Sequence, residues 1–259
     1  MSSQPLVSIV TVVLNDAPNI EKTILSVLSQ IDCNFEYILI DGGSNDGTLN
    51  IIDKYKDKFS CVISEKDQGI YYAMNKAISR ANGKWLFFLN SGDVFFDKKT
   101  LSSFFSYESS DAFVLYGQHI IDYVGAVRKH TPKNLSHLWT GMLFSHQSVF
   151  VITALLKQYK FDTTYRLASD YDLISKLFNL RYKFQYVPRI VSVISANGVS
   201  DEQRLLVFSE YLKISKKYFP SKITKIYFSF KSLDARLRML VKKILPLVWV
   251  RKIQQSSLF

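Results

Sequence analysis

The stretch Phe35 to Thr48, FEYILIDGGSNDGT, decides the fold. Its first six residues are aromatic and β-branched enough to read as a strand. The run then breaks into Asp41-Gly42-Gly43-Ser44-Asn45-Asp46-Gly47, residues that accept positive φ or hydrogen-bond their own backbone in turns. Asp46 is placed to cap a helix over Thr48 to Tyr55. A strand that ends in a polar loop and feeds a helix is one half of a β-α-β unit, and the same grammar repeats on both sides. Upstream, Leu6 to Leu14 (LVSIVTVVL) reads as a buried strand and Asn19 to Gln30 has helical spacing. Downstream come a short strand at Ser60 to Ser64, a helix over Gly69 to Ala81 and a strand at Lys84 to Leu89. The order β-α-β-α-β-α-β predicts an α/β fold whose sheet carries helices on both faces.

Beyond residue 93 the grammar changes. A short helix is expected over Asp97 to Phe105 and a β-hairpin over Ala112 to His130, turning about Tyr123-Val124-Gly125. A strand and helix follow at Phe150 to Lys157, a helix at Ser169 to Leu180 and a strand at Phe184 to Ile194. The chain has 259 residues, 47% hydrophobic and 21% charged, which suits a folded domain with a substantial core and excludes global disorder. Cys33 and Cys61 make no CxxC pair or metal cluster, and the N-terminus lacks a basic leader, so the expected setting is the cytoplasm. Apolar runs such as Ile244 to Val250 are much shorter than the ~20 residues of a spanning helix.

The net charge of +11 is local. Residues 1–210 carry 21 basic and 21 acidic side chains, whereas residues 211–259 carry 12 basic ones against Asp234 alone. In that tail Ile223, Ile226, Tyr227, Phe230, Leu233, Leu237, Leu240, Val241, Ile244 and Leu245 recur at helical spacing among lysines and arginines. This predicts a basic amphipathic helix broken before Pro246. Such a helix suits the surface of an anionic bilayer through residues 222–252, and no nucleic-acid-binding module accompanies it. The competing reading packs the apolar stripe on the main domain.

In open α/β sheets ligands bind beyond the carboxyl ends of the strands. Strand one delivers Asn15 and Asp16 there, strand two Asp41 and GGSNDG, strand three Glu65, Lys66 and Asp67, and strand four Asn90, Ser91, Gly92 and Asp93. Four acidic endings on one edge repel one another unless a cation or a hydrogen-bonding ligand sits among them; a hard metal carrying a diphosphate would do so.

VSIVTVVLN, ILIDGGSNDGT, EKDQGIYYAMNKAI and WLFFLNSGD, in that order, resemble the nucleotide-sugar half of the family-2, GT-A fold inverting glycosyltransferases, especially bacterial enzymes that add one hexose to lipid-linked repeat units of O-antigen or capsule. SHQSVF at Ser145 to Phe150 and LASDYDLI at Leu167 to Ile174 resemble the acceptor half, and NGVS at Asn197 to Ser200 resembles its closing loop. The resemblance implies a GT-A-like mixed, mostly parallel sheet over residues 1–200, with a donor half at 1–95 and an acceptor half at 96–200, followed by a helical appendage at 201–259. It implies that Asp41 reads the base of a UDP-sugar with Thr11, Val13 and Asn15 beside it. Ser44, Asp67, Asn75, Asn90 and Ser91 would also face the donor. Asp93 would hold Mn2+ or Mg2+, Asp170 would be the catalytic base, and His146 and Gln147 would meet the acceptor, a polyprenyl-diphosphate-linked saccharide at the inner face of the cytoplasmic membrane. The product would be β-linked glucose or galactose. Two departures stand out: Asn90 occupies the first position of the family's DxD motif, and Tyr72 stands where relatives often carry aspartate. The absence of QxxRW favours transfer of a single sugar. The alternative is a non-catalytic nucleotide- or carbohydrate-binding partner of another transferase; a nucleotidyltransferase would need a basic residue near Asn15 to Asn19 that is not there.

Overall fold

The computed structural model describes residues 4–123, 126–196 and 203–244, with side chains through 237. The expected Val124-Gly125 turn, the NGVS loop and the tail beyond 244 lie outside the described residues. The strands are β1 (Val7–Val13), β2 (Phe35–Asp41), β3 (Cys61–Ser64), β4 (Trp85–Phe88), β5 (Val94–Phe95), β6 (Val114–Asp122), β7 (Val127–His130), β8 (Val149–Ile152) and β9 (Phe184–Ser195). The helices are α1 (Ala17–Leu28), α2 (Thr48–Asp53), α3 (Ile70–Arg80), α4 (Thr100–Phe105), α5 (Thr153–Tyr159), α6 (Ser169–Asn179), α7 (Arg204–Tyr218) and α8 (Lys222–Ile244).

One sheet runs in the order β3-β2-β1-β4-β8-β6-β9-β5, with β7 paired to β6. The first four strands are parallel, as the β-α-β grammar demands. β8 then enters antiparallel between β4 and β6, while β6 and β9 are parallel. The sheet is therefore mixed. The two-residue β5, which sequence reading did not register, pairs antiparallel with β9 across the chain from Val94 to Val193. The β6–β7 hairpin forms as expected, with His119 opposite His130 and Asp122 opposite Val127.

Strand alternation sorts the core into two layers. Val10, Val12, Ile38 and Ile40 pack with α3 and α6, whereas Val7, Ile9, Val13 and Leu39 pack with α1 and α4. Gly83, at the turn into β4, has no room for a side chain: a Cβ there would lie 2.5 Å from the Ser8 amide nitrogen. No helix among the described residues is long and apolar enough to cross a membrane.

The C-terminal helices lie against the second half of the domain. Buried Glu210 on α7 accepts the backbone N–H groups of Arg166 (2.8 Å) and Leu167 (2.9 Å). On α8, Thr224, Phe228 and Ala235 are buried, but Ile223, Ile226, Phe230, Leu233 and Leu237 are all more than half exposed. The expected apolar stripe thus lies along an exposed face, while Thr224, Phe228 and Ala235, which were not part of it, are the buried side of the helix.

Candidate active site

The loops after β1, β2 and β4 are tied to one another before any ligand arrives. Asp41, fully buried at the end of β2, accepts the Gly43 N–H (3.0 Å) and the Ser64 hydroxyl (2.7 Å) through Oδ2, and the Ser44 N–H through both oxygens. The Asn15 N–H donates to the Ser44 hydroxyl (2.7 Å), and Asn15 Oδ1 accepts the Asn45 N–H (2.9 Å). Asn15 does this with φ at 51°, a region where asparagine is among the few tolerated side chains. Asp46 accepts the N–H and hydroxyl of Thr48 and also the Ala17 N–H, which ties it to α1, but the N-cap of α2 is Gly47 and not Asp46 as expected. The Ser91 hydroxyl donates to Asp16 Oδ2 at 2.6 Å. Exposed Leu14 stands at the tip of β1.

Two expected donor contacts are turned away from this edge. Thr11 is buried, its hydroxyl 2.8 Å from the Leu89 carbonyl and 2.9 Å from the Tyr37 hydroxyl, and Val13 is buried in the α1 layer. Both sit on the face of β1 that α1 covers, and β1 is buried along its whole length, so the first residues it delivers to the edge are Leu14 and Asn15. Asn75 is a third: its amide donates to the Phe161 carbonyl and accepts the Phe161 N–H, both at 2.9 Å, which holds the loop after α5 against α3. Asp67 is near the edge but paired, with Oδ1 2.7 Å from Lys76 Nζ and Oδ2 buried without a partner.

Asp93 does not fit the role of an open metal ligand. It is only 6% exposed, its Oδ2 accepts Gln147 Nε2 at 2.7 Å and its Oδ1 accepts the Ser195 N–H at 3.2 Å. Burial raises its pKa from 3.8 to about 6 against the lowering effect of those hydrogen bonds. Hard divalent cations want several accessible oxygens, and no three His, Cys, Asp or Glu residues converge on such a position among the described residues. Gln147 is correspondingly occupied with Asp93, where an acceptor contact was expected.

His146 is placed more informatively. It opens a 3₁₀ turn, His146–Ser148, capped by Ser145, and its Nδ1 is 3.6 Å from Asp170 Oδ2. Its Nε2 is 2.8 Å from Asn90 Nδ2, while Asn90 Oδ1 is buried with no partner. Asp170 lies in the first turn of α6, where the helix dipole favours negative charge. It also accepts the Tyr71 hydroxyl at 3.1 Å through Oδ1. Sequence reading took Tyr71 for packing; it is buried, but burial and the nearby Asp170 charge hold its pKa well above 10, so it remains a donor. Nothing in local spacing foretells a contact across 99 residues. Asp172, the other acid in that turn, is buried and paired with Lys217 at 3.0 Å.

The edge of laced loops therefore meets the Asp170 carboxylate on α6 through the Asn90–His146 contact. The profile of glycosyl transferase family 2 matches residues 8–179, spanning all of these positions. The chain belongs to glycosyltransferase family 2. This family-2 chain is 28% identical over 216 residues to a PGL/p-HBAD biosynthesis glycosyltransferase of Mycobacterium tuberculosis, covering 81% of this chain and 83% of that protein. It is 34% identical over 141 residues to the putative teichuronic acid biosynthesis glycosyltransferase TuaG of Bacillus subtilis, covering 52% and 56%. Among solved structures, S. aureus TarS 1-349 in complex with UDP superposes with a TM-score of 0.62 at 21% identity, over 88% of this chain and 70% of that one. Glucosyl-3-phosphoglycerate synthase from Mycobacterium tuberculosis, solved with Mn2+, UDP and glucosyl-3-phosphoglycerate, gives 0.60 at 16% identity, over 83% and 80%. These likenesses establish the GT-A-type architecture that the family resemblance implied.

Proposed function

We propose that this family-2 glycosyltransferase moves a single hexose, glucose or galactose, from a UDP-sugar to a hydroxyl of a polyprenyl-diphosphate-linked saccharide, with inversion. The observation that carries the reading is Asp170: a carboxylate in the first turn of α6, its side chain 17% exposed, held by Tyr71 and facing the donor edge across His146. In this reading the acceptor hydroxyl attacks the anomeric carbon opposite the diphosphate. Asp170 takes the hydroxyl proton as the new C–O bond forms, and the old C–O bond breaks to release UDP. Residues 1–95 bind the donor through Asp41, Ser44, Asn15, Asp67, Asn90 and Ser91, and residues 96–200 carry the acceptor side. UDP and UDP-sugar complexes of proteins with this fold support the nucleotide. Asp93 is nearly buried and already accepts two hydrogen bonds, so Mn2+ or Mg2+ enters the reading chiefly as a counter-ion brought in on the donor's diphosphate, which titration with a chelator tests.

The exposed seam on α8 favours contact with an anionic membrane over the packed-down alternative. Ile223, Ile226, Phe230, Leu233 and Leu237 follow a 3-4 spacing that suits a partner helix. Two such helices, however, would bring Lys222, Lys225, Lys231 and Arg236 against their own copies. An anionic lipid surface accepts both the seam and its basic margins.

The central experiment measures UDP release from UDP-glucose and UDP-galactose by the wild type and by Asp170→Asn. A loss of about 10²-fold or more with an unchanged melting curve is expected of a general base. Undiminished turnover in the variant would remove Asp170 from the mechanism. UDP binding without any turnover in the wild type would favour the non-catalytic binding partner.

A further inference from the structure

We infer that His146 is a positioning residue for Asp170, and that Asn90 is the residue that fixes its tautomer. The inference rests on Asp170 acting as base; it moves His146 away from the acceptor and gives Asn90 a contact to the ring in addition to its place beside the donor.

The geometry leaves few arrangements. A neutral imidazole carries one N–H and one lone pair, and the two nitrogens of His146 face different groups. Nδ1 faces the Asp170 carboxylate at 3.6 Å, a charge–dipole contact longer than a full hydrogen bond, and Nε2 faces the Asn90 amide at 2.8 Å. With the proton on Nδ1, the imidazole presents an N–H to the carboxylate and a lone pair to the Asn90 NH2, so every facing pair is attractive. With the proton on Nε2, a lone pair would face the carboxylate and the asparagine would have to turn its oxygen to the ring. Of the two neutral tautomers only the first is complementary at both ends with the Asn90 NH2 turned to the ring, and an imidazolium would need the Asn90 oxygen there instead. The identity of the group held on one nitrogen sets which nitrogen carries the proton, and asparagine is the residue whose NH2 can donate to Nε2. Aspartate at position 90 could only accept, which would demand a proton on Nε2 and, with Asp170 on the other side, an imidazolium between two carboxylates.

The departure at position 90 then has a reason in this chain. An amide at the donor edge reaches through one ring to the carboxylate 80 residues later, and the 3₁₀ turn capped by Ser145 keeps that ring in place. Tyr71 holds the opposite oxygen of Asp170, so both oxygens are oriented by groups from different elements.

The test has two independent arms. Nitrogen-15 NMR of the full chain labelled at histidine reads the tautomer directly, with His146→Asn used to assign the resonance. The expected result is a neutral ring protonated at Nδ1; protonation at Nε2, or the averaged signal of a freely exchanging imidazole, overturns the proposal. The kinetic arm follows UDP release from UDP-glucose. His146→Ala should lower kcat by up to about 10-fold, less than the loss of a full hydrogen bond to a charged group would cause, with KM for the donor unchanged. His146→Asn, whose Nδ2 occupies the place of Nδ1 and keeps the donor toward Asp170, should recover most of that loss. A fall confined to KM, or equal loss in both variants, refutes the positioning role. Asp170→Asn separates the levels: if it retains turnover the base assignment fails, whereas the tautomer measured by NMR stands or falls on its own.

Discussion

Asp93 keeps a carboxylate where water barely reaches, and the consequence is a measurable dependence on pH. Its folded pKa of about 6 lies above the ordinary 3.8, so the folded state holds the proton more tightly than the unfolded chain. The stability it contributes is full below pH 4 and is lost as pH rises through 6. The displacement is worth roughly 3 kcal/mol between the two limits. Asp93→Asn should therefore raise the melting temperature at pH 8, by about 2–4 °C for each kcal/mol recovered, and the advantage over wild type should vanish toward pH 4. Differential scanning fluorimetry across that range measures it; a variant less stable than wild type at pH 8 would mean that the charged hydrogen bonds from Gln147 and Ser195 outweigh the burial. At this scale the sequence was only partly legible. Asp41, Asn15, Ser44 and Ser91 stand at the edge that their positions after strands implied, because the end of a strand can be read locally. The buried partners of Thr11, Val13 and Asn75 were not legible, because which way a side chain faces depends on strand alternation and on packing partners, such as Phe161, that are distant in sequence.

Among the elements, α7 has the clearest structural duty. Glu210 is 5% exposed and its two oxygens accept consecutive backbone N–H groups just before α6, so the loop that leads into Asp170 is fastened to a helix from later in the chain. Glu210→Ala leaves both donors without that partner and should cost about 1–3 kcal/mol in urea unfolding at an unchanged m-value, whereas Glu210→Gln, which keeps one acceptor, should cost less. Equal stability of the alanine variant would show that water replaces the carboxylate. Tyr171 ties the same region together, its hydroxyl donating to the Leu138 carbonyl at 2.7 Å. The strands and helices from Val7 to Phe88 were legible within a few residues, since hydrophobic runs and Gly/Asp loops alternate clearly there. The antiparallel entry of β8, the two-residue β5 and the 3₁₀ turn carrying His146 were not, because their partners come from remote segments and they are too short to show a period.

For the whole molecule, the α8 seam separates two behaviours. The full chain should float with vesicles containing anionic phosphatidylglycerol, and binding should weaken as salt rises, because basic side chains supply part of the affinity. Replacing Ile226, Phe230 and Leu233 with serine should abolish flotation while leaving UDP thermal shifts intact; flotation that survives the triple change would place the lipid contact elsewhere. The pairing of β5 with β9 reaches further. Ser195 donates its N–H to Asp93 and its hydroxyl to the Gly92 carbonyl, closing contacts between residues 102 and 103 positions apart. On a ribosome adding about 5–20 residues per second, the donor edge waits roughly 5–20 s after Asp93 is made before its last tie can be synthesised. A chain ending before residue 195 would therefore carry the loops after β1, β2 and β4 but neither of the ties that β9 makes to Gly92 and Asp93.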